Sequence, residues 1–287
     1  MSSFKLWMMA VRPRTLTMGA VPVLVGCAVA RAEGASLDWL LALAALLGAI
    51  LIQAATNLHN DAADGESGAD GPDRLGPPRV TAQGLLPAAS VRRAAWGCFA
   101  GASLAGLLML EQGGWPILLL GLFSILAGWS YTGGPKPIAY TPLGELFVLA
   151  FFGVGAVEGT IWLQLHRLSW DGLLAGAALG LFASAVLLTN NHRDHVQDIR
   201  SGRRTLAILA GQPATSWLYG LFMGLPFLLL PAIGAGHAWV ALGAVPMAWR
   251  LVGIFGKTQG RGFNPILGAT AQTQLLFGLL LCLGVQL

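Results

Sequence analysis

Residues 40–70 read LLALAALLGAILIQAATNLHNDAADGESGAD. Positions 40–56 hold no charged side chain, and with their neighbours they reach the roughly 20 apolar residues needed to cross a bilayer. From Asn57 onward the stretch turns polar, with Asp61, Asp64, Glu66 and Asp70 crowded behind Asn57, His59 and Asn60. A membrane helix that delivers a concentrated acidic segment to one membrane face is the reading from which the rest of the chain follows.

The whole chain agrees with a membrane setting. Its 287 residues are 55% hydrophobic and only 10% charged, against about 25% charged in soluble domains, and mean hydropathy is +0.66. Apolar stretches of membrane length lie near 15–31, 37–58, 91–110, 115–131, 142–164, 170–190, 215–235, 238–256 and 265–286. Pro22, Pro226, Pro231 and Pro246 fall inside them, as membrane helices allow when neighbours satisfy the freed backbone groups. The expectation is an all-α membrane protein: one polytopic domain over residues 1–287 with nine transmembrane helices.

When nine spans alternate from a cytoplasmic N-terminus, all 17 lysines and arginines except Arg31 and Arg167 fall on the cytoplasmic side. This bias predicts an inner-membrane protein with its C-terminus on the opposite side. A net charge of +4 would otherwise raise nucleic acid as a partner. These charges occupy short loops between spans, however, so no nucleic acid is expected. Cys27, Cys98 and Cys282 are isolated in apolar spans and read as packing residues. Ala28-Val29-Ala30 resembles a signal-peptidase site, but the further spans favour retention of the first helix.

Two segments on the basic side stand out, 57–90 and 190–206. Between them they hold Asp61, Asp64, Glu66, Asp70, Asp73, Asp194 and Asp198, more than half of the 13 acidic residues. Asn57-x-His59-x-Asp61 is echoed by Asn190-x-His192-x-Asp194, each at the same end of its span, as an internal repeat would place them. Asn57, Asp61 and Asp64 share one helical face, and the spacing predicts the same for Asn190, Asp194 and Asp198. Like charges so spaced repel, and a cation is the natural compensator. Carboxylate and amide oxygens are hard ligands suited to Mg²⁺, which is commonly shared between a few carboxylates and substrate phosphates. One such loop would pass for a solvated connection; two on one side, with basic residues nearby, point to a Mg²⁺–diphosphate site. His59, His192 and His195 show no zinc-type spacing.

At these motifs the chain resembles the UbiA-type intramembrane aromatic prenyltransferases, and most closely their 1,4-dihydroxy-2-naphthoate branch in menaquinone biosynthesis. The resemblance rests on 12-RPRTL-16, 57-NLHNDAADGESGAD-70, 73-DRLGPPR-79, 131-YTGGPKPIAYTPLGE-145, 151-FFGVGAVEGT-160 and 190-NNHRDHVQDIRSGRRTL-206. It runs from about residue 11 to the C-terminus. Ala62 stands where an aromatic is frequent, and Arg203 where lysine is frequent. The resemblance implies a nine-helix bundle with a central cavity open to lipid and a cytoplasmic cap. It also implies transfer of a polyprenyl group from polyprenyl diphosphate to an aromatic acid acceptor, with loss of diphosphate and CO₂.

Carried onto this sequence, the resemblance implies that Asp61, Asp64, Asp70, Asp194 and Asp198 hold Mg²⁺ on the diphosphate. Arg74, Arg79, Lys136, Arg200 and Arg203 would neutralise the remaining phosphate charge. Asn57 and Asn190 would be neutral ligands, with Asn191 also at the substrate, and Tyr131, Lys136 and Glu145 would position the acceptor. Trp129, Tyr131, Phe151, Phe152 and Trp162 are candidates to face the allylic cation. Three alternatives stay open on the residues: another acceptor such as 4-hydroxybenzoate, an ion-coupled transporter using Glu158, and a CDP-alcohol phosphotransferase, whose Ala-Arg step is missing after Asp64-Gly65. Oligomeric state and prenyl chain length are not encoded in any of these motifs.

Overall fold

The computed structural model describes residues 2–67 and 74–287, all helical or irregular, with no strand among them. Asp70 and Asp73 lie outside the described residues. Helix α1 (Ser3–Val11) is capped by the Ser2 hydroxyl and ends at Arg12, which takes a left-handed conformation (φ 57°). Pro13 then opens α2 (Pro13–Ala32), where its fixed φ suits a first helical turn.

Helix α3 (Trp39–Ser67) does not stop where its apolar run stops. It carries the acidic motif on its last turns, so the 57–67 segment is helix and not loop. Helix α4 (Ala88–Ser130) has 43 residues, about 65 Å if straight and twice the hydrocarbon thickness of a bilayer. It is not straight. Gly114 (φ 59°, ψ −156°) breaks it beside Pro116, a conformation for which only glycine is suited. A Cβ on Gly128 would lie 3.4 Å from the ring of Phe99 and 2.5 Å from Thr56 Oγ1, so the two arms fold back on each other.

Helices α5 (Gly144–Leu149) and α6 (Ala156–Leu165) are joined through a π-helical stretch, Ala150–Gly155, into one apolar pass. Trp162 Nε1 donates to the Gly113 carbonyl at 3.0 Å, fastening the tip of the α4 hairpin to α6. Helix α7 (Trp170–Arg193) is the most buried pass. Gly153 of the π-helical stretch packs directly on its backbone, where a Cβ would collide with the Gly176 carbonyl. Small residues permit such close approach, which is how helices gain packing in lipid.

Ser169 caps α7, its hydroxyl accepting from Gly172 N–H at 2.9 Å, and Glu158 accepts from Ser169 N–H at 3.1 Å. The carboxylate of Glu158 thus sits at a helix N-terminus, where negative charge is favoured. That is a capping position. Helices α8 (His195–Arg200), α9 (Leu206–Leu229), α10 (Val245–Phe255) and α11 (Phe263–Gly284) complete the bundle. Phe182 of α7 packs against Phe227 and Phe277, with ring centroids 5.8 and 5.1 Å away. Among the described residues, eight helices, with α4 counted once, are long and apolar enough to cross a membrane.

Candidate active site

The last turns of α3 bury Asn57, Asn60, Asp61 and Asp64. Opposite them, α7 gives way to α8 at Asp194, whose backbone (φ −91°, ψ 9°) is not helical. Asn190, Asp194 and Asp198 therefore do not share the face of one continuous helix, as the spacing alone predicts. Gly202 (φ 77°) turns the chain after α8, and Arg203 N–H returns to the Asp198 carbonyl at 2.9 Å. This turn aims the Arg203 guanidinium back between the two motifs. Its Nη2 lies 2.9 Å from Asp64 Oδ1 and its Nη1 lies 3.2 Å from Asp198 Oδ1. Arg79 Nη2 takes the other Asp64 oxygen at 3.0 Å.

The remaining acidic groups are anchored differently. Asp61, 1% exposed, accepts from the backbone N–H of Val80 (3.3 Å) and of Thr81 (3.0 Å), and from the Thr81 hydroxyl (2.7 Å). Asp194 is gripped by its neighbour Arg193, Nε to Oδ1 at 2.8 Å and Nη2 to Oδ2 at 2.5 Å. The same guanidinium donates to Asn190 Oδ1 and Asn264 Oδ1, both at 2.8 Å, and Asn264 Nδ2 donates to the Leu75 carbonyl at 2.9 Å. Arg193 and Asn264 so tie the segment after the first motif to the second motif and to α11.

Burial and charge act together here. Desolvation by burial lowers the Arg12 guanidinium from its ordinary value, against the pull of Asp61 and Asp64. Burial, helped by the nearby positive charge of Arg12, brings Arg74 down to about 10. Burial pushes Asp198 up to about 6, although Arg203 opposes the shift. For Arg203 burial works against the charge, but Asp64 and Asp198 outweigh it and hold the group above its ordinary value. Among the described residues, Arg12, Arg74, Arg79, Arg193 and Arg203 stand beside Asp61, Asp64, Asp194 and Asp198.

An apolar cavity of about 380 Å³ lies among α2, α3, both arms of α4, and the α5–α6 pass. Thr56, one residue before Asn57, and Tyr131 line it, and so do Phe147, Phe151 and Phe152. Tyr131 feels the charges of Arg203, Asp64 and Asp198, and its phenol is raised by burial and then by Glu145. The cavity thus ends beside the charged cluster. Leu107, Leu118 and Leu122 line the cavity and are also exposed, so it reaches the outer face of the bundle along α4.

Residues 19–262 match the UbiA prenyltransferase family. The 1,4-dihydroxy-2-naphthoate octaprenyltransferase of Mycobacterium tuberculosis is 36% identical over 283 residues, 97% of this chain and 96% of the relative. That of Escherichia coli is 34% identical over 293 residues, 98% of this chain and 95% of the relative. Among solved structures, a UbiA homolog from Archaeoglobus fulgidus bound to GPP and Mg²⁺ superposes with a TM-score of 0.68, covering 98% of this chain and 100% of that one. The apo UbiA homolog from Aeropyrum pernix K1 gives 0.71 over 94% and 96%. At 14% identity these two likenesses speak for the fold alone.

The chain belongs to the UbiA prenyltransferase family. It is an all-α membrane enzyme of that family, with several apolar passes. Among its described residues, no three or more His, Cys, Asp or Glu side chains converge on one metal position. The donor set nevertheless fits a hard divalent ion shared with phosphate, since such ions often take only one or two carboxylates. Asp198 Oδ2 is buried with no hydrogen-bond partner among the described residues, an oxygen that a cation would satisfy.

The other expected residues fall into groups. Asn57 Nδ2 donates to the Val11 carbonyl (2.8 Å) and to Thr15 Oγ1 (3.0 Å), bracing the α1–α2 junction. Asn191 Nδ2 donates to Glu145 Oε1 at 2.9 Å, joining the second motif to the acceptor segment. Lys136 and Arg200 are exposed, the one on the loop before Ile138 and the other at the end of α8. Trp129 packs on Gly134, and Trp162 is turned to the α4 hairpin; neither lines the cavity. Arg12, Tyr140, Arg193 and Asn264 escaped the sequence reading of the UbiA site. Arg12 and Arg193 were visible within the RPRTL and NNHRD motifs, but arginines at the ends of apolar spans pass as topology signals.

Proposed function

We propose that this chain transfers a polyprenyl group from polyprenyl diphosphate to 1,4-dihydroxy-2-naphthoate, releasing diphosphate and CO₂ and forming the prenylated naphthoquinol, the reduced form of demethylmenaquinone. The observation that carries the reading is the Arg203 bridge between Asp64 and Asp198 at the end of an apolar cavity. That is a charged seat for a diphosphate beside a sleeve for its hydrocarbon chain. The mycobacterial and E. coli relatives, named for this acceptor, support the choice of acceptor.

Asp64 and Asp198 are the residues that would hold Mg²⁺, with Asp61, Asp70 and Asp194 in the same two motifs. When bound, Mg²⁺ neutralises diphosphate oxygens and so favours departure of the leaving group. Arg74, Arg79 and Arg203 bind the phosphate oxygens, and Lys136 and Arg200 add positive charge at the cytoplasmic rim. Asn57 and Asn190 contribute neutral oxygens. Tyr131, Phe151 and Phe152 turn their rings to the cavity in which the allylic C–O bond breaks, where they oppose cationic charge with π density and exclude water. Tyr131 and Glu145, the latter held by Asn191, orient the acceptor. Its ring carbon bonds to the prenyl carbon as the bond to its carboxylate breaks, and the electrons of that bond restore the aromatic ring.

The same reading gives each arm of α4 its own crossing, hence nine passes in one domain. It puts the charged cluster under a cytoplasmic cap at the inner membrane, with the N-terminus in the cytoplasm and the C-terminus across it. The basic residues concentrated at the motif end of the bundle support that orientation. The purified protein, given one polyprenyl diphosphate and Mg²⁺ with either 1,4-dihydroxy-2-naphthoate or 4-hydroxybenzoate, tests the proposal. Prenylated naphthoquinol with equimolar CO₂ is expected. Product from the benzoate alone, or from neither acid, overturns it.

A further inference from the structure

Arg203 occupies the position that a cation shared between the two motifs would take. One oxygen of Asp64 and one of Asp198 both face its guanidinium. The side chain, 15% exposed, lies over the ring of Tyr140 with its guanidinium carbon 5.2 Å from the centroid. The backbone fixes that platform, because Arg204 N–H donates to the Tyr140 carbonyl at 3.1 Å. Tyr140 thus holds the guanidinium from one face, and the carboxylates hold it at its edge. Removing one member of a buried ion pair leaves the other charge uncompensated; Asp64 keeps Arg79 as a second partner, whereas Asp198 needs Arg203 or another cation in its place.

We propose that Arg203 is an exchangeable internal cation. In the resting enzyme it neutralises Asp64 and Asp198 and holds the two motifs together. When the metal–diphosphate enters, the carboxylates pass to the metal, and the guanidinium, still stacked on Tyr140, passes to the phosphate oxygens. The inference rests on the metal–diphosphate reading given above and assigns an order to it. Metal alone must displace Arg203 with nothing to receive it, so it binds weakly. Diphosphate supplies the new partner and makes metal binding strong. By linkage, metal strengthens diphosphate binding by the same factor. Tyr140 is a positioning residue in this scheme, acting through Arg203.

Mn²⁺ binding to the purified protein in detergent, followed by electron paramagnetic resonance with and without inorganic diphosphate, tests the exchange. Arg203→Gln is expected to bind Mn²⁺ alone about tenfold or more tighter than the unsubstituted protein, because a neighbouring positive charge is gone. It is also expected to lose most of the enhancement that diphosphate confers. Arg203→Lys, which keeps the charge, should bind Mn²⁺ alone more weakly than Arg203→Gln does. Tyr140→Leu should shift in the direction of Arg203→Gln by a smaller factor. If Arg203→Gln binds Mn²⁺ alone no better than the unsubstituted protein, or if Arg203→Gln does not fold and Tyr140→Leu binds it no better, Arg203 is a fixed strut and the exchange is wrong. An unsubstituted protein that binds no Mn²⁺ even with diphosphate would instead overturn the underlying metal–diphosphate reading.

Discussion

Arg203 Nη2 lies 2.9 Å from Asp64 Oδ1 across 139 positions of sequence. That contact closes the two acidic motifs into one site, and it ties the fold at the motif end of the bundle to the chemistry proposed there. The consequences can be measured one residue at a time.

Thr81 stabilises the first motif through Asp61. Thr81→Val keeps the side-chain shape but removes the hydroxyl that donates to the buried carboxylate. The loss should cost about 1–3 kcal/mol, read as a lower melting temperature in detergent, and Thr81→Ser should restore most of it. Equal melting of Thr81→Val and the unsubstituted protein would show that Asp61 draws its support from elsewhere.

Gly153 sets the distance between the π-helical stretch and α7. Any side chain there meets the Gly176 carbonyl and the Gly180 backbone, so Gly153→Val should destabilise the bundle by roughly 1–3 kcal/mol or more. Because Phe151 and Phe152 ride on the same stretch, prenyl transfer should fall as well. A variant that melts normally and turns over normally would mean that the two helices can part without consequence.

Asp198 sets a pH dependence. Burial holds its carboxyl up to about 6, above the unfolded value of about 3.9. The folded chain therefore binds this proton more tightly, and the associated stability is present below about pH 4 and lost as pH rises through about 6. Cation binding needs the carboxylate, so it runs the other way. Below pH 6 the apparent affinity for the metal–diphosphate should fall about tenfold per unit, and above pH 7 it should be flat. A profile that stays flat down to pH 5 would contradict the burial of Asp198 in the working enzyme.

Much of this was legible in the sequence. The apolar runs located the membrane-length helices of the described residues, and the gap between 91–110 and 115–131 falls where α4 breaks at Gly114. The one-face spacing of Asn57, Asp61 and Asp64 survives because α3 runs on to Ser67. The equivalent spacing at 190–198 does not, since the helix breaks at Asp194. What pairs with what was not legible. Helical spacing says which side chains share a face but not what faces them, so the turns of Asp61 to Thr81 and of Asn57 to Val11 were hidden. Arg193 and Asn264 were hidden for the same reason: their partnership spans 71 positions.

The most direct test of the central claim is prenyl transfer by Asp64→Asn and Asp198→Asn, each isosteric with the residue it replaces, across a Mg²⁺ titration. Each variant should remain folded in detergent and lose about 10²-fold or more of its turnover, with no recovery at any Mg²⁺ concentration. EDTA should abolish the activity of the unsubstituted protein, and Mg²⁺ should restore it. Near-normal turnover in either variant would mean that the joined aspartate motifs are not the catalytic centre.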